Sequence, residues 1–298
     1  MQTATLTSIP AQNTIFDPNH PGFREDFDEK PFQFSHCFTA DHPLFNLSRI
    51  RKLIENPATR PAAYYDSGEV RVDQRWDTLP PKTLSVDETF DRLDNAGAWM
   101  MLRHVHRDPD YQELLDQCLA EVKQLSGREI DEDKKSQEAI IFITSPNRVT
   151  SYHIDRECNF LMQVSGEKTI NVFDRNDREV VTEQELEAYW SKDNNAGVYK
   201  PQFQDRAHVY LMKPGTGVHI PVNSPHWLKN GNNISISFSI SYQYKDWSRK
   251  YVYQANYYLR KLGLNPTPPG QSTFKDNAKR LIVDMGFKGK RILRPAKG

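Results

Sequence analysis

The stretch Asn233-Ile-Ser-Ile-Ser-Phe-Ser-Ile-Ser-Tyr-Gln-Tyr244 decides the fold class. Ile234, Ile236, Phe238, Ile240 and Tyr242 alternate with Ser235, Ser237, Ser239, Ser241 and Gln243. A period of two sends successive side chains to opposite faces, so this is a strand with one apolar face and one face of small hydroxyls. Two settings suit the hydroxyl face: the wall of a solvated cavity inside a barrel, or an exposed outer surface. Working outward, short apolar runs predict further strands at 139–144, 169–173, 208–212 and 217–221.

Helices flank this strand-rich region. Leu47, Ile50, Leu53 and Ile54 recur at helical spacing within 41–56, and Pro57 ends the run. Asp108-Pro109 reads as an N-cap followed by proline at the first helical position. The stripe Tyr111, Leu114, Leu115, Cys118, Leu119, Val122 and Leu125 follows, and Gly127 closes it. Thr182 with Glu185 forms a capping box for an inserted helix over 182–190. Two more helices are expected at 248–262 and 273–285, able to cap the barrel or to form a homodimer face. Residues 1–40 read as an extended arm, 57–90 as turns and short strands broken at Pro80-Pro81, 131–135 as a charged loop, and 191–206 as a polar excursion. The tail 288–297 carries five Lys or Arg and reads as a solvated end. No linker separates two cores. The expected organisation is one domain, with an arm and helices over 1–130, a core over 131–246 and helices over 247–298.

Composition narrows the function classes. The 298 residues hold 39 Lys+Arg against 39 Asp+Glu. That balance argues against a protein that tracks nucleic-acid phosphates. Aromatics at 11% argue against an acidic disordered chain. No run of about 18 apolar residues exists to span a membrane. A mean hydropathy of -0.74 points to long solvated loops around a core. Cys37, Cys118 and Cys158 form no disulfide framework, and the first residues lack the apolar stretch of a signal peptide. A cytoplasmic location is therefore expected. The Asn-x-Ser sequons at Asn46 and Asn233 are then chance matches.

Nine histidines are present, and one of them, His153, stands two residues before Asp155. On a strand, residues i and i+2 share a face, so this imidazole and this carboxylate could bind one metal ion. A facial 2-His-1-carboxylate set needs one more, distant histidine. His219 and His226 are the candidates.

The context of this pair is Thr150-Ser-Tyr-His-Ile-Asp-Arg-Glu-Cys-Asn-Phe-Leu-Met-Gln-Val-Ser-Gly-Glu-Lys168. It resembles the cupin-like JmjC group of Fe(II)/2-oxoglutarate oxygenases, and within that group the hypoxia-inducible-factor asparaginyl hydroxylases. The resemblance rests on Thr150 three before His153, Asn159 six after it, the Gln163-x-x-Gly166 turn, and Lys168 fifteen after it. A second segment, Gly217-Val-His-Ile-Pro221 followed by His226 five residues on, matches the family's distal half. By that register His226 is the second imidazole ligand, and His219 falls where the family carries an aromatic wall residue. The resemblance spans about residues 140–243.

What it implies is a mainly β fold, a double-stranded β-helix (jelly-roll or cupin) core with N- and C-terminal helical decorations. It further implies an Fe(II) site of His153, Asp155 and His226, with 2-oxoglutarate and O2 as co-substrates. Lys168 and Thr150 would meet the far carboxylate of 2-oxoglutarate and Asn159 its metal-bound end. Ser239 occupies the place of a co-substrate asparagine. The position ten after His226, an anchoring arginine in many related oxygenases, is Ile236, which leaves the anchor to Lys168. An intact Asp155 favours hydroxylation over halogenation. The substrate is open between a small molecule and a protein side chain. Two other classes remain in view: a non-catalytic cupin-like binding or regulatory protein, and a cupin metalloenzyme that needs no 2-oxoglutarate.

Overall fold

A computed structural model describes residues 14–57, 63–78, 83–246 and 248–292, with side chains to 283. In chain order the elements are α1 (Gly22–Glu25), β1 (Phe32–Ser35), α2 (Leu47–Glu55), β2 (Ala63–Asp66), α3 (Val86–Asp91), β3 (Trp99–Leu102), α4 (Pro109–Ser126), α5 (Ile130–Asp133), β4 (Lys134–Thr144), β5 (Val149–His153), β6 (Cys158–Ser165), β7 (Lys168–Val172), α6 (Glu183–Ser191), β8 (His208–Met212), β9 (Thr216–Ile220), β10 (His226–Asn230), β11 (Ser235–Tyr244), α7 (Ser248–Lys261) and α8 (Thr273–Ile292).

The strands form two antiparallel sheets. The larger runs β1-β9-β6-β11-β4-β3-β2 and the smaller β5-β10-β7-β8. From β4 onward the chain passes back and forth between them, which brings their inner faces together around a cavity. This is a mainly antiparallel β architecture of the cupin or jelly-roll kind, decorated by helices.

β11 lies near the middle of the larger sheet, and its two faces explain the layers. Its serine face turns inward. Ser239 pairs across to Ile140 and Leu161, and Ser241 to Glu138 and Asn159, all residues of the cavity wall. All four serines are buried, so the exposed-surface setting is excluded. The apolar face turns outward and is itself covered. Phe238 meets Phe38 and Phe45 at ring-centroid distances of 6.0 and 5.1 Å. The stripe of α4 (Tyr111, Leu115, Cys118, Val122) belongs to the same buried cluster. Each phenylalanine withdrawn from water there contributes about 1.5–3 kcal/mol.

Several sequence expectations shift. The N-terminal arm is more than an extended wrap over its described part: β1 pairs with β9 and widens the larger sheet. Phe32 and Phe34 point into the core while Gln33 and Ser35 do not, a pattern too short to stand out by period. The helix expected from 41 begins at Leu47, because the Asn46 side chain accepts the Arg49 N–H and caps it; a 3-10 turn, Pro43–Phe45, precedes it. The charged loop at 131–135 is instead the end of α5 and the start of β4. That part of β4 is polar because it projects beyond the core. β3 was not foreseen. The last helix runs on to Ile292 rather than ending at 285. The Pro80-Pro81 break, residues 1–13 and the side chains of the 288–297 tail lie outside the described residues. No helix among the described residues is long and apolar enough to cross a membrane.

Candidate metal centre

Register builds the site. β5 ends at His153 and β10 begins at His226, and these two residues are direct partners in the antiparallel pair. Opposed residues on one face of such a pair hold their side chains close. The imidazole centroids accordingly lie 4.1 Å apart. The strand stops there, so the i, i+2 argument needs correcting. Asp155 is not on a strand but in the bend that follows, where its carbonyl accepts the Asn223 N–H at 3.0 Å. The bend turns its carboxylate back toward the rings: Oδ2 is 3.6 Å from His226 Nε2 and 4.0 Å from His153 Nε2.

Both imidazoles are oriented by the same local device. His153 Nδ1 donates to the Ser151 carbonyl at 2.7 Å, and His226 Nδ1 to the Ser224 carbonyl at 3.0 Å. A carbonyl can only accept, so Nδ1 carries the hydrogen and Nε2 presents its lone pair to the centre. Burial, reinforced by the neighbouring His153, holds the His226 imidazole well below its usual pKa and hence neutral. Two imidazole nitrogens and one carboxylate within 4.8 Å of one another fit a divalent transition-metal ion.

The triad opens on a cavity of about 560 Å³ between the sheets. Thr150, Asn159 and Lys168 line it with the three candidate ligands. Lys168 is the first residue of β7, opposite Asn230, and His226 is opposite Val172, four residues along the same ladder. Residues 168, 170 and 172 share the inner face, so Lys168 and the triad share a wall roughly 13 Å apart along the strands. Lys168 is 4% exposed, and no carboxylate among the described residues pairs with it. Burial lowers its pKa to about 7. The turn before it requires glycine: Gly166 has φ +69°, and a Cβ there would stand 2.2 Å from Asn233 Oδ1. Asn233, a sequon in the sequence, is thus a turn residue.

Ser239 does not itself border the cavity; its hydroxyl donates to Asn159 Oδ1 at 2.9 Å. His219 also lies away from the cavity, so its expected role as a wall needs correcting. It sits opposite Phe160 on the outer face of β9 and is fully buried. Its Nδ1 donates to the Asn159 carbonyl at 3.1 Å, and its Nε2 accepts the Asp28 N–H at 2.9 Å. It also stacks on Phe27 at 5.6 Å. Asp28, Cys158 and His219 form a second cluster of metal-binding types, but with both ring nitrogens engaged it is an anchor for the N-terminal arm.

Sequence reasoning missed the rest of the wall. Trp76 stands edge-on to His153 at 5.7 Å and to Trp99 at 4.8 Å. Arg103, Glu138, Arg156, Glu157 and Tyr189 line the same side. Arg156 and Glu157 lay inside the motif but without a role; the others are scattered over separate strands, turns and the α6 helix with no shared spacing signal.

No protein-family model matches the chain, and no curated relative matches it by sequence. Solved structures do. The chain is similar to the X-ray structure of E. coli ycfD, with a TM-score of 0.53 and 12% identity over 95% of this chain and 70% of that one. A second structure, of YcfD as a ribosomal oxygenase from Escherichia coli, gives 0.50 and 13% over 92% and 66%. At such identities the likeness is one of fold. A looser match (0.48, 14%, over 88% and 64%) is to the same E. coli protein in complex with cobalt and 2-oxoglutarate, and that composition belongs to that protein.

Proposed function

We propose that this chain is an Fe(II)- and 2-oxoglutarate-dependent oxygenase of the hydroxylating type, built on a double-stranded β-helix core. The observation that carries the reading is one cavity with two complementary ends. His153, Asp155 and His226 converge at one end, and the buried, unpaired Lys168 stands at the other. The alternation of β4 to β11 between the sheets supports the core assignment. The fold shared with a ribosomal oxygenase supports an oxygenase over other users of the fold. The motif supports the asparaginyl-hydroxylase branch.

Bound Fe(II) with 2-oxoglutarate supplies the activation of O2 that ends in C–H oxidation. Everything else is the work of the chain. His153 and His226 offer lone pairs already aimed by the Ser151 and Ser224 carbonyls, so ligation needs no reorientation. Asp155 contributes the single negative charge. A three-residue set leaves the remaining coordination positions free. Lys168 supplies a point charge for the far carboxylate, with the Thr150 hydroxyl beside it. Asn159 faces the cavity with its amide oxygen held by Ser239, so Ser239 acts through Asn159. Leu161, Ile220 and Leu228 line the same space and exclude water.

The substrate is a small molecule or a protein side chain, and the protein works in the cytoplasm. The homodimer expected through the C-terminal helices has a surface to form on, since Leu262, Phe274, Leu281 and Ile282 are exposed. Sedimentation of wild type against Phe274→Asp tests that arrangement.

The oxygenase reading is tested by succinate release from 2-oxoglutarate by Fe(II)-loaded protein. Release that needs Fe(II) and disappears in His153→Ala supports it. Equal release from that variant overturns it.

A further inference from the structure

Five charged side chains other than Asp155 line the cavity, and they are not equivalent. Arg103 and Glu138 satisfy each other: Arg103 Nε donates to Glu138 Oε1 at 2.8 Å and Nη2 to Oε2 at 2.5 Å. Lys168 stands four residues along β7 from the triad. That leaves Arg156 and Glu157, consecutive residues just past Asp155. The chain bends there instead of running as a strand, so both side chains reach the same cavity.

Neither forms an ion pair among the described residues: Arg103 is near enough to Glu157 to act on its charge but is taken up by Glu138. Arg156 is aimed by neutral partners. Its Nη2 donates to the Tyr189 carbonyl at 2.7 Å and to Asn194 Oδ1 at 2.8 Å. Its guanidinium lies over the Tyr189 ring at 4.7 Å and the Trp190 ring at 5.3 Å. Its Nε is buried without a hydrogen-bond partner. Glu157 is likewise fixed without an ion pair, accepting from Gln243 Nε2 at 2.6 Å and from the Arg156 N–H at 3.1 Å. Partly buried charges that form no ion pair carry a desolvation cost, and rigid polar scaffolding does not remove all of it. A ligand carrying both opposite charges does.

We infer that Arg156 and Glu157 form the substrate's recognition site, and that the substrate is a free zwitterion of the α-amino acid class. Its carboxylate meets the Arg156 guanidinium and its ammonium meets Glu157. The inference rests on the oxygenase reading and deepens it. Adjacency in the chain matches adjacency in the ligand, since an α-amino acid carries both charges on one carbon. The two charges anchor the head group beside Asp155, and the side chain extends toward the aromatic wall of Trp76 and Trp99. A residue within a peptide has neither charge and is not held this way.

The experiment is a thermal-shift series on the full chain loaded with Mn(II) and 2-oxoglutarate. Each of the twenty L-α-amino acids is added singly, then as its N-acetyl and its carboxamide form. The expected result is a further rise with one or more free amino acids, weakened at least about tenfold in apparent affinity by either blocking group. Arg156→Gln and Glu157→Gln abolish that rise, and Arg156→Lys restores part of it. The shift given by 2-oxoglutarate alone is retained in all three variants and reports that they fold. Equal shifts from blocked and free forms overturn the inference in favour of a peptide substrate. No shift from any amino acid, with the 2-oxoglutarate shift intact, overturns it and leaves the oxygenase reading standing. Loss of the 2-oxoglutarate shift in wild type counts against that reading instead.

Discussion

His153 and His226 are direct cross-strand partners, with imidazole centroids 4.1 Å apart, although 73 positions separate them in the chain. The centre is therefore a consequence of sheet register. One side chain ends β5, the other opens β10, and each is turned inward by the carbonyl two residues before it. A one-residue slip would move one ring to the opposite face.

The Gly166 turn sets the start of β7 and with it the place of Lys168. Gly166→Ala is expected to destabilise the protein by about 1–3 kcal/mol, through left-handed backbone strain and the clash with Asn233. It also weakens 2-oxoglutarate binding while leaving metal affinity near wild type. Denaturant unfolding and metal titration on the same sample check both parts.

Lys168 makes the cavity less stable when empty. Its pKa is about 7 in the folded protein, lowered by burial from 10.5, so between those values the unfolded chain binds more protons. Stability from this group therefore rises as pH increases from about 7 toward 10. Lys168→Met removes the buried charge. Thermal unfolding of the ligand-free variant at pH 7 should show a higher Tm, on the order of 2–4 °C for each kcal/mol gained. Calorimetry on the same variant should show 2-oxoglutarate binding lost. In wild type that binding weakens as pH rises above about 7, as the free lysine loses its proton.

His219 holds the N-terminal arm to the barrel. His219→Ala removes the acceptor for the Asp28 N–H and a ring packed against Phe27, Phe32 and Phe160. The expected cost is about 2–4 kcal/mol. Limited proteolysis should cut within residues 14–40 first, and metal affinity should stay near wild type. Loss of metal binding without loss of stability would instead make His219 a ligand.

How much of this was legible in the sequence depended on the range of the pattern. The Ser/Ile alternation of β11 and the capped, striped α4 are local, and each stands where its spacing put it. The Thr150–Lys168 motif brought candidate ligands and Lys168 into view because they lie on one short run of chain that crosses from β5 to β6 and back to β7. The environment of Ser239 and the outward face of His219 were not legible, since both depend on which layer covers a strand. The N-terminal strand hid because β1 is four residues long. Arg156 and Glu157 were in plain view, but that neither forms an ion pair is a property of the folded cavity alone.

The most direct test of the metal-centre reading is anaerobic calorimetry of 2-oxoglutarate binding, with and without Fe(II), in wild type and Asp155→Ala. The account predicts binding only in Fe(II)-loaded wild type. Equal binding to the metal-free protein, or to the metal-treated Asp155→Ala variant, would contradict it.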